Sequence, residues 1–189
     1  MPDKAEAEQH RITRRWFMEQ AWVGSGLALI QVRPVLASGI GPGLADLTRE
    51  TPEQLLQRYR QGWVHVPPTG FVRGLALVGP GTPVGPLLSG AARAVWQGKR
   101  VRPDGSAVNR FFGVPAVRGR LGIAPSWLDG APTLVLDYRQ TSWIYRHYRD
   151  EIRQIAPGLW LGVMIDAESC PPRVVRYFAL WSEESAICG

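Results

Sequence analysis

The punctuation of this chain constrains its fold more than any other feature. Between Gly70 and Trp181, short apolar stretches rich in β-branched and aromatic residues alternate with Gly, Pro and Asp breaks. Pro103-Asp104-Gly105 separates Lys99–Arg102 from Ala107–Phe112, and Asp129-Gly130 separates Val117–Trp127 from Thr133–Tyr138. Both are hairpin signals, because Asp-Gly tolerates the positive φ that tight turns between twisted strands require. Pro157-Gly158 and Pro171-Pro172 then divide Arg149–Ile155, Leu159–Ile165 and Val174–Trp181. With Gly70–Val78 upstream, the spacing predicts seven or eight strands on short connections, and therefore an antiparallel sheet.

Such a sheet curls. The expected class is α+β, mainly β: a curled antiparallel sheet or a lipocalin-like barrel with one or two short helices. The first helix begins at Thr51, a good N-cap, with Pro52 at its first position, Gln54 completing a capping box and Gly62 as its stop. Leu55, Leu56 and Tyr59 share one face, expected to lie against the sheet. Leu87 to Trp96 reads as a second, apolar helical segment. The chain divides into 1–37, a leader; 38–45, a Gly/Pro-rich linker; and 46–189, a single β-rich domain. Neither an internal repeat nor a low-complexity tract interrupts it.

The leader rests on Arg14 and Arg15. Thr13-Arg14-Arg15-Trp16-Phe17-Met18 resembles the twin-arginine signal motif, in which a polar residue precedes the arginines and an apolar pair, here including Phe17, follows. Ala21 to Val32 supplies a mildly apolar segment, shorter than the roughly 20 residues needed to span a bilayer. Val35-Leu36-Ala37-Ser38 offers small residues for cleavage after Ala37. The resemblance implies a twin-arginine translocase as partner, a periplasmic destination, and no transmembrane helix once the leader is removed. Retention of the leader as an anchor stays open.

Charge adds less. The chain holds 22 bases and 16 acids, a net charge of +6; the first 37 residues account for five bases and four acids, leaving 17 and 12, or +5. Of those seventeen only Lys99 is a lysine, and the arginines form no run. A nucleic-acid footprint would cluster bases and bring stacking motifs with them, so no nucleic-acid partner is expected. Cys170 and Cys188 would reach an oxidising compartment after export, where they are either a disulfide or two thiols.

The stretch from Asp137 to Glu151 is chemically the richest. It gathers His147, Asp137, Asp150 and Arg149 beside Tyr138 and Trp143, the material for proton transfer or for gripping an anion. The plainer reading is a polar connection with Arg149, Asp150 and Glu151 paired on a solvated edge. His147 has no second histidine at metal-ligand spacing and His65 is distant, so no metal site is expected. The tryptophans, six of them after the leader, either line a pocket or fill the core; Trp127, Trp143 and Trp160, with Tyr138 and Arg149, are the candidate ligand contacts. Nothing in the sequence specifies a cofactor.

Trp96-Gln97-Gly98-Lys99, Asp137-Tyr138, Arg149 and Gly162-Val163-Met164 resemble, in order and approximate spacing, the landmarks of small bacterial GXWXG-type proteins of unknown function. The similarity covers about seventy residues, with Ala94 where the family's first glycine stands. It implies a compact β-rich domain and no particular activity. The expected function is an exported binder of an apolar or amphipathic small molecule, its apolar pocket edged by arginines for an acidic head group. The alternative is a small enzyme with His147 as acid/base, Asp137 or Asp150 orienting it, and Arg149 stabilising an anion.

Overall fold

Eight strands follow one another round a closed antiparallel barrel in a computed structural model that describes residues 42–64 and 67–182. They are β1 (Gly70–Leu77), β2 (Trp96–Val101), β3 (Ser106–Phe111), β4 (Val114–Pro125), β5 (Pro132–Asp137), β6 (Tyr148–Ala156), β7 (Leu159–Asp166) and β8 (Arg173–Trp181). Each pairs with its sequence neighbour, and β1 pairs with β8 from Arg73 opposite Trp181 to Leu77 opposite Tyr177. Closure leaves none of these eight strands with an unpaired edge. The barrel form of the expected fold class is the one adopted.

The turn chemistry placed the boundaries well. Pro103-Asp104-Gly105, Asp129-Gly130 and Pro157-Gly158 all fall in connections between paired strands, and Gly105, Gly130 and Gly158 take positive φ. One break had no such signal: Phe112 (φ 49°) and Gly113 (φ 81°) turn the chain between β3 and β4, so β4 begins at Val114 and not at Val117.

Among the described residues three short helices accompany the barrel: α1 (Pro42–Leu47), α2 (Pro52–Gln61) and α3 (Gly85–Ala92). Residues 42–45 of the expected linker are therefore helical, because Leu44 and Leu47 bury against the barrel wall. The α2 boundaries are those read from sequence. Thr51 accepts from the Gln54 backbone N–H, the Gln54 side chain accepts from the Thr51 N–H, and Leu55 and Tyr59 are buried. The second helix starts at Gly85 and ends at Ala92, ahead of the expected Leu87–Trp96, since Trp96 is already part of β2.

Two packed layers result. Leu44, Leu47, Leu55 and Tyr59 cover the outer wall formed by Leu75 and Leu77 of β1, Leu161, Val163 and Ile165 of β7, and Ala179 of β8. The alternate residues of those strands point inward, because successive side chains in a strand face opposite ways. Eight strands enclose an interior just wide enough for side chains to fill or for one small molecule. At Gly162 the filling is tight: a Cβ there would come within 2.1 Å of the Phe178 ring.

The meander also sorts the connections into two ends. The links β2–β3, β4–β5 and β6–β7 are tight turns at one end, called here the hairpin end. The links β1–β2, which carries α3, β3–β4, β5–β6 and β7–β8 all lie at the other, the α3 end.

Candidate functional site

Inside the barrel, toward the α3 end, lies a polar network that joins Trp96 and Lys99 of the Trp-x-Gly-Lys motif and Tyr138 to Asn109 and Asp150. Lys99 on β2 is 3% exposed and Asp150 on β6 is 1% exposed, and Lys99 Nζ donates to Asp150 Oδ2 across the interior at 2.9 Å. The same ammonium donates to Asn109 Oδ1 at 2.8 Å and to Tyr138 Oη at 3.1 Å. Its three protons are thereby matched to three acceptors. Its charge also sits among the rings of Trp96, Tyr138 and Phe178, at 5.3, 5.8 and 5.1 Å from their centroids.

The surrounding groups are satisfied almost completely. Tyr138 Oη donates to Asp150 Oδ2 at 2.6 Å, Trp96 Nε1 donates to Asn109 Oδ1 at 3.1 Å, and Asn109 Nδ2 donates to the Val117 carbonyl at 3.1 Å. Burial and the neighbouring Asp150 charge push the Tyr138 pKa well up, so it stays a neutral donor. Two atoms at the edge of the network are different. Among the described residues, Asp150 Oδ1 and Tyr145 Oη are buried without a hydrogen-bond partner. Tyr145 comes from the β5–β6 connection, is 2% exposed, and stacks near Tyr138, Phe111 and Tyr148. Burial first, and then the Asp150 charge, raise its pKa also.

A bulge in β2 makes this cluster possible. Trp96 and Lys99 are three apart and would face opposite sides of a regular strand. The register slips between Trp96, opposite Phe111, and Gly98, opposite Arg110, so both side chains turn inward. Gly98 has φ 129°, and a Cβ on it would lie 2.1 Å from the Val72 carbonyl oxygen, so glycine is required there.

The residues singled out from sequence are dispersed by strand alternation. Asp150 points inward, whereas Arg149 and Glu151 beside it point out. Arg149 Nε donates to Glu151 Oε1 at 2.8 Å, and its guanidinium covers the Trp127 ring at 4.3 Å. Asp137 is held by Arg139 at the surface, which keeps its carboxyl below the usual range. His147 Nδ1 lies against Glu168 Oε1, while its Nε2 accepts from Arg146 Nε at 2.8 Å. Asp137 and Arg149 stand directly opposite each other on β5 and β6, where the Arg149 charge helps to lower the Asp137 pKa, but Asp150 faces the interior and His147 precedes β6, so the four candidate catalytic groups are not brought to one place.

The candidate ligand contacts divide similarly. Tyr138 and Trp160 are buried, but Trp127 is 42% and Trp143 53% exposed, on outer connections. The solvated edge expected for Arg149 to Glu151 is corrected too. Glu151 is fully buried beneath α2 and accepts from Tyr59 Oη at 2.9 Å, Ser126 Oγ at 2.6 Å and the Trp127 N–H at 2.9 Å. Nearby, Arg153 grips Asp129 with two bonds of 2.7 Å and packs on the Tyr59 ring. With every oxygen of Glu151 occupied, this second polar cluster ties α2 to the barrel.

Arg14, Arg15, Phe17, Ala37, His65 and Cys188 lie outside the described residues; Cys170 is an exposed free thiol. No group of three His, Cys, Asp or Glu among the described residues could hold a metal ion, and no described helix is long and apolar enough to cross a membrane. Two of the missed site residues carried a signal: Lys99 is the sole lysine after the leader, and Asn109 falls opposite it across the β2–β3 hairpin.

The chain matches no family model, and no curated protein matches it. A crystal structure of a protein from Thermomonospora curvata aligns with 94% of this chain and 99% of its own, at 17% identity and a TM-score of 0.38, a likeness that carries nothing about function.

Proposed function

We propose that the protein is an exported small-molecule binder, and that it takes the polar group of its ligand at the α3 end of the barrel interior, between Asp150 Oδ1 and Tyr145 Oη. The observation supporting this is the pair of buried, unpartnered atoms at the edge of an otherwise saturated network. A buried polar atom without a partner costs about 1–3 kcal/mol, and more for a charged group. Such atoms are uncommon in native proteins, and of the five among the described residues these two belong to side chains close enough for the Asp150 charge to act on Tyr145.

The chemistry selects a neutral donor over the acidic head group expected from sequence. Asp150 Oδ1 can only accept while ionised, and Tyr145 Oη can donate in return, which suits a hydroxyl or an amide. The Lys99 charge is already balanced by Asp150, so a carboxylate ligand would meet a carboxylate. Trp96, Phe111, Met164 and Phe178 supply apolar surroundings for the rest of the molecule. Four landmarks of the GXWXG resemblance, Trp96, Lys99, Tyr138 and Met164, face this interior, and kinship with that group is part of the proposal. Export rests on the ordered motif, apolar segment and cleavage site of residues 1–37.

Native mass spectrometry of the protein from its own host, with Tyr145→Phe beside it, tests both parts. The denatured mass is expected to lack residues 1–37. The native mass is expected to exceed it by a small molecule, whose affinity falls about tenfold in Tyr145→Phe for one lost hydrogen bond. If neither protein retains a molecule and Tyr145→Phe is as stable as the natural chain, an ordered water completes the network and the binding reading fails. An uncleaved mass removes the soluble periplasmic form.

A further inference from the structure

The large apolar side chains left exposed are unevenly placed. Nine are found among the described residues, and six of them, Val84, Leu87, Leu88, Phe112, Val114 and Trp143, lie at the α3 end of the barrel. They come from three separate connections and the first residue of β4, round one rim. The Phe112 N–H donates to the Val95 carbonyl, joining the β3–β4 turn to the chain leaving α3. Phe111 stacks near Tyr145, joining that turn to the β5–β6 connection. Leu87 is 61% and Phe112 66% exposed, and the α3 sequence, Gly-Pro-Leu-Leu-Ser-Gly-Ala-Ala, contains no charge. Isolated exposed apolar residues are ordinary, whereas a collection at one end of a molecule marks a contact surface.

The charges of this rim decide what it contacts. Its acids are each set against a base: Asp137 against Arg139, Asp166 against Arg173 at 3.9 Å, and Glu168 against His147. Arg110 and Arg146 have no carboxylate partner among the described residues; Arg110 donates to the Gly113 carbonyl, and Arg146 lies 5.9 Å from the Trp143 ring centroid. Protruding aromatic and leucine side chains flanked by arginines match a headgroup layer, where the apolar groups enter and the guanidinium groups stay at the phosphates. A second copy is a poorer match, since the described acids of this rim are already set against bases and leave no carboxylate for the arginines of another copy.

We infer that the α3 end docks on an anionic lipid surface, with Leu87, Leu88, Phe112 and Trp143 entering the headgroup layer and Arg110 and Arg146 at its phosphates. This rests on the exposed rim alone and is independent of the interior binding proposal. It also places the polar end of the interior next to the bilayer.

The test places a nitroxide at Leu87→Cys or, at the hairpin end, at Ala131→Cys, each in the full chain with Cys170→Ser and Cys188→Ser. Vesicles of phosphatidylglycerol with phosphatidylcholine are compared with phosphatidylcholine alone. The label at 87 is expected to become several-fold less accessible to a water-soluble relaxation agent on the anionic vesicles, to regain access in high salt, and to stay accessible on the neutral ones. The label at 131 should remain in water throughout. Attachment through the leader alone would leave both labels accessible, which overturns the inference. So would equal immersion on neutral vesicles, or shielding of residue 87 before any vesicle is added, the sign that a second copy or the leader covers the rim.

Discussion

Lys99 shows how a single side chain can organise a barrel interior. A buried ammonium is tolerable only when paired and fully hydrogen-bonded, and this one meets Asn109 on β3, Asp150 on β6 and Tyr138 just past the end of β5. Removing one partner of such a pair leaves the other charge buried alone, at about 3–5 kcal/mol. Lys99→Met should therefore cost about 3–5 kcal/mol in guanidinium unfolding, and adding Asp150→Leu should recover most of it. A loss under about 1 kcal/mol for the single variant would mean that the two charges are not coupled in the folded state. Sequence exposed the oddity of one lysine among seventeen bases but not its meaning, because the residues it meets lie 10, 39 and 51 positions away.

At the scale of elements, α2 was readable almost to the residue, since capping is a local arrangement of neighbours. Thr51 and Gln54 satisfy each other's backbone, and Pro52 sits where its missing N–H costs nothing. Thr51→Ala is expected to lower stability by about 1 kcal/mol without altering interior contacts, checked by equilibrium unfolding monitored through tryptophan fluorescence. No change at all would show that tertiary contacts hold this helix and that its cap is redundant. The β2 bulge was the opposite case. Trp-x-Gly-Lys does not advertise a slip in register; what forces it is the approach of Gly98 to the β1 backbone, a feature of pairing between strands.

For the whole molecule, ionisation sets the limits of stability at both ends of the pH scale. Asp129, held mainly by its hydrogen bonds to Arg153, and Asp137, held mainly by Arg139, have pKa values lowered from 3.8. Their contribution is complete above the unfolded value and is lost as the pH falls through the folded one. Tyr59 is pushed up to about 12, chiefly by burial, and Tyr138 and Tyr145 are raised by the same cause. That contribution is complete below the unfolded value of 10 and is lost as the pH rises toward the folded values. Unfolding free energy is thus expected to be level from ~pH 5 to ~pH 9, to fall below ~pH 4 through the carboxylates, and to fall above ~pH 10 through the tyrosines. Guanidinium titrations at stepped pH check this, and a free energy unchanged up to ~pH 11 would contradict the tyrosine assignment.

Sequence by itself determined the mainly β class, the short connections, most strand boundaries and the α2 caps, because turns and caps depend on residues within a few positions of one another. It also isolated the 137–151 segment and the single lysine, without showing what joined them. Tertiary structure decided the rest. Pairing of β1 with β8 closed the barrel, and that closure defined an inside; only then did alternation send Asp150 in and Arg149 out, separating residues adjacent in the chain. The same closure brought Lys99, Asn109, Tyr138 and Asp150 together, since which strands face each other across a barrel is fixed by the whole circuit of hydrogen bonds and not by any one strand.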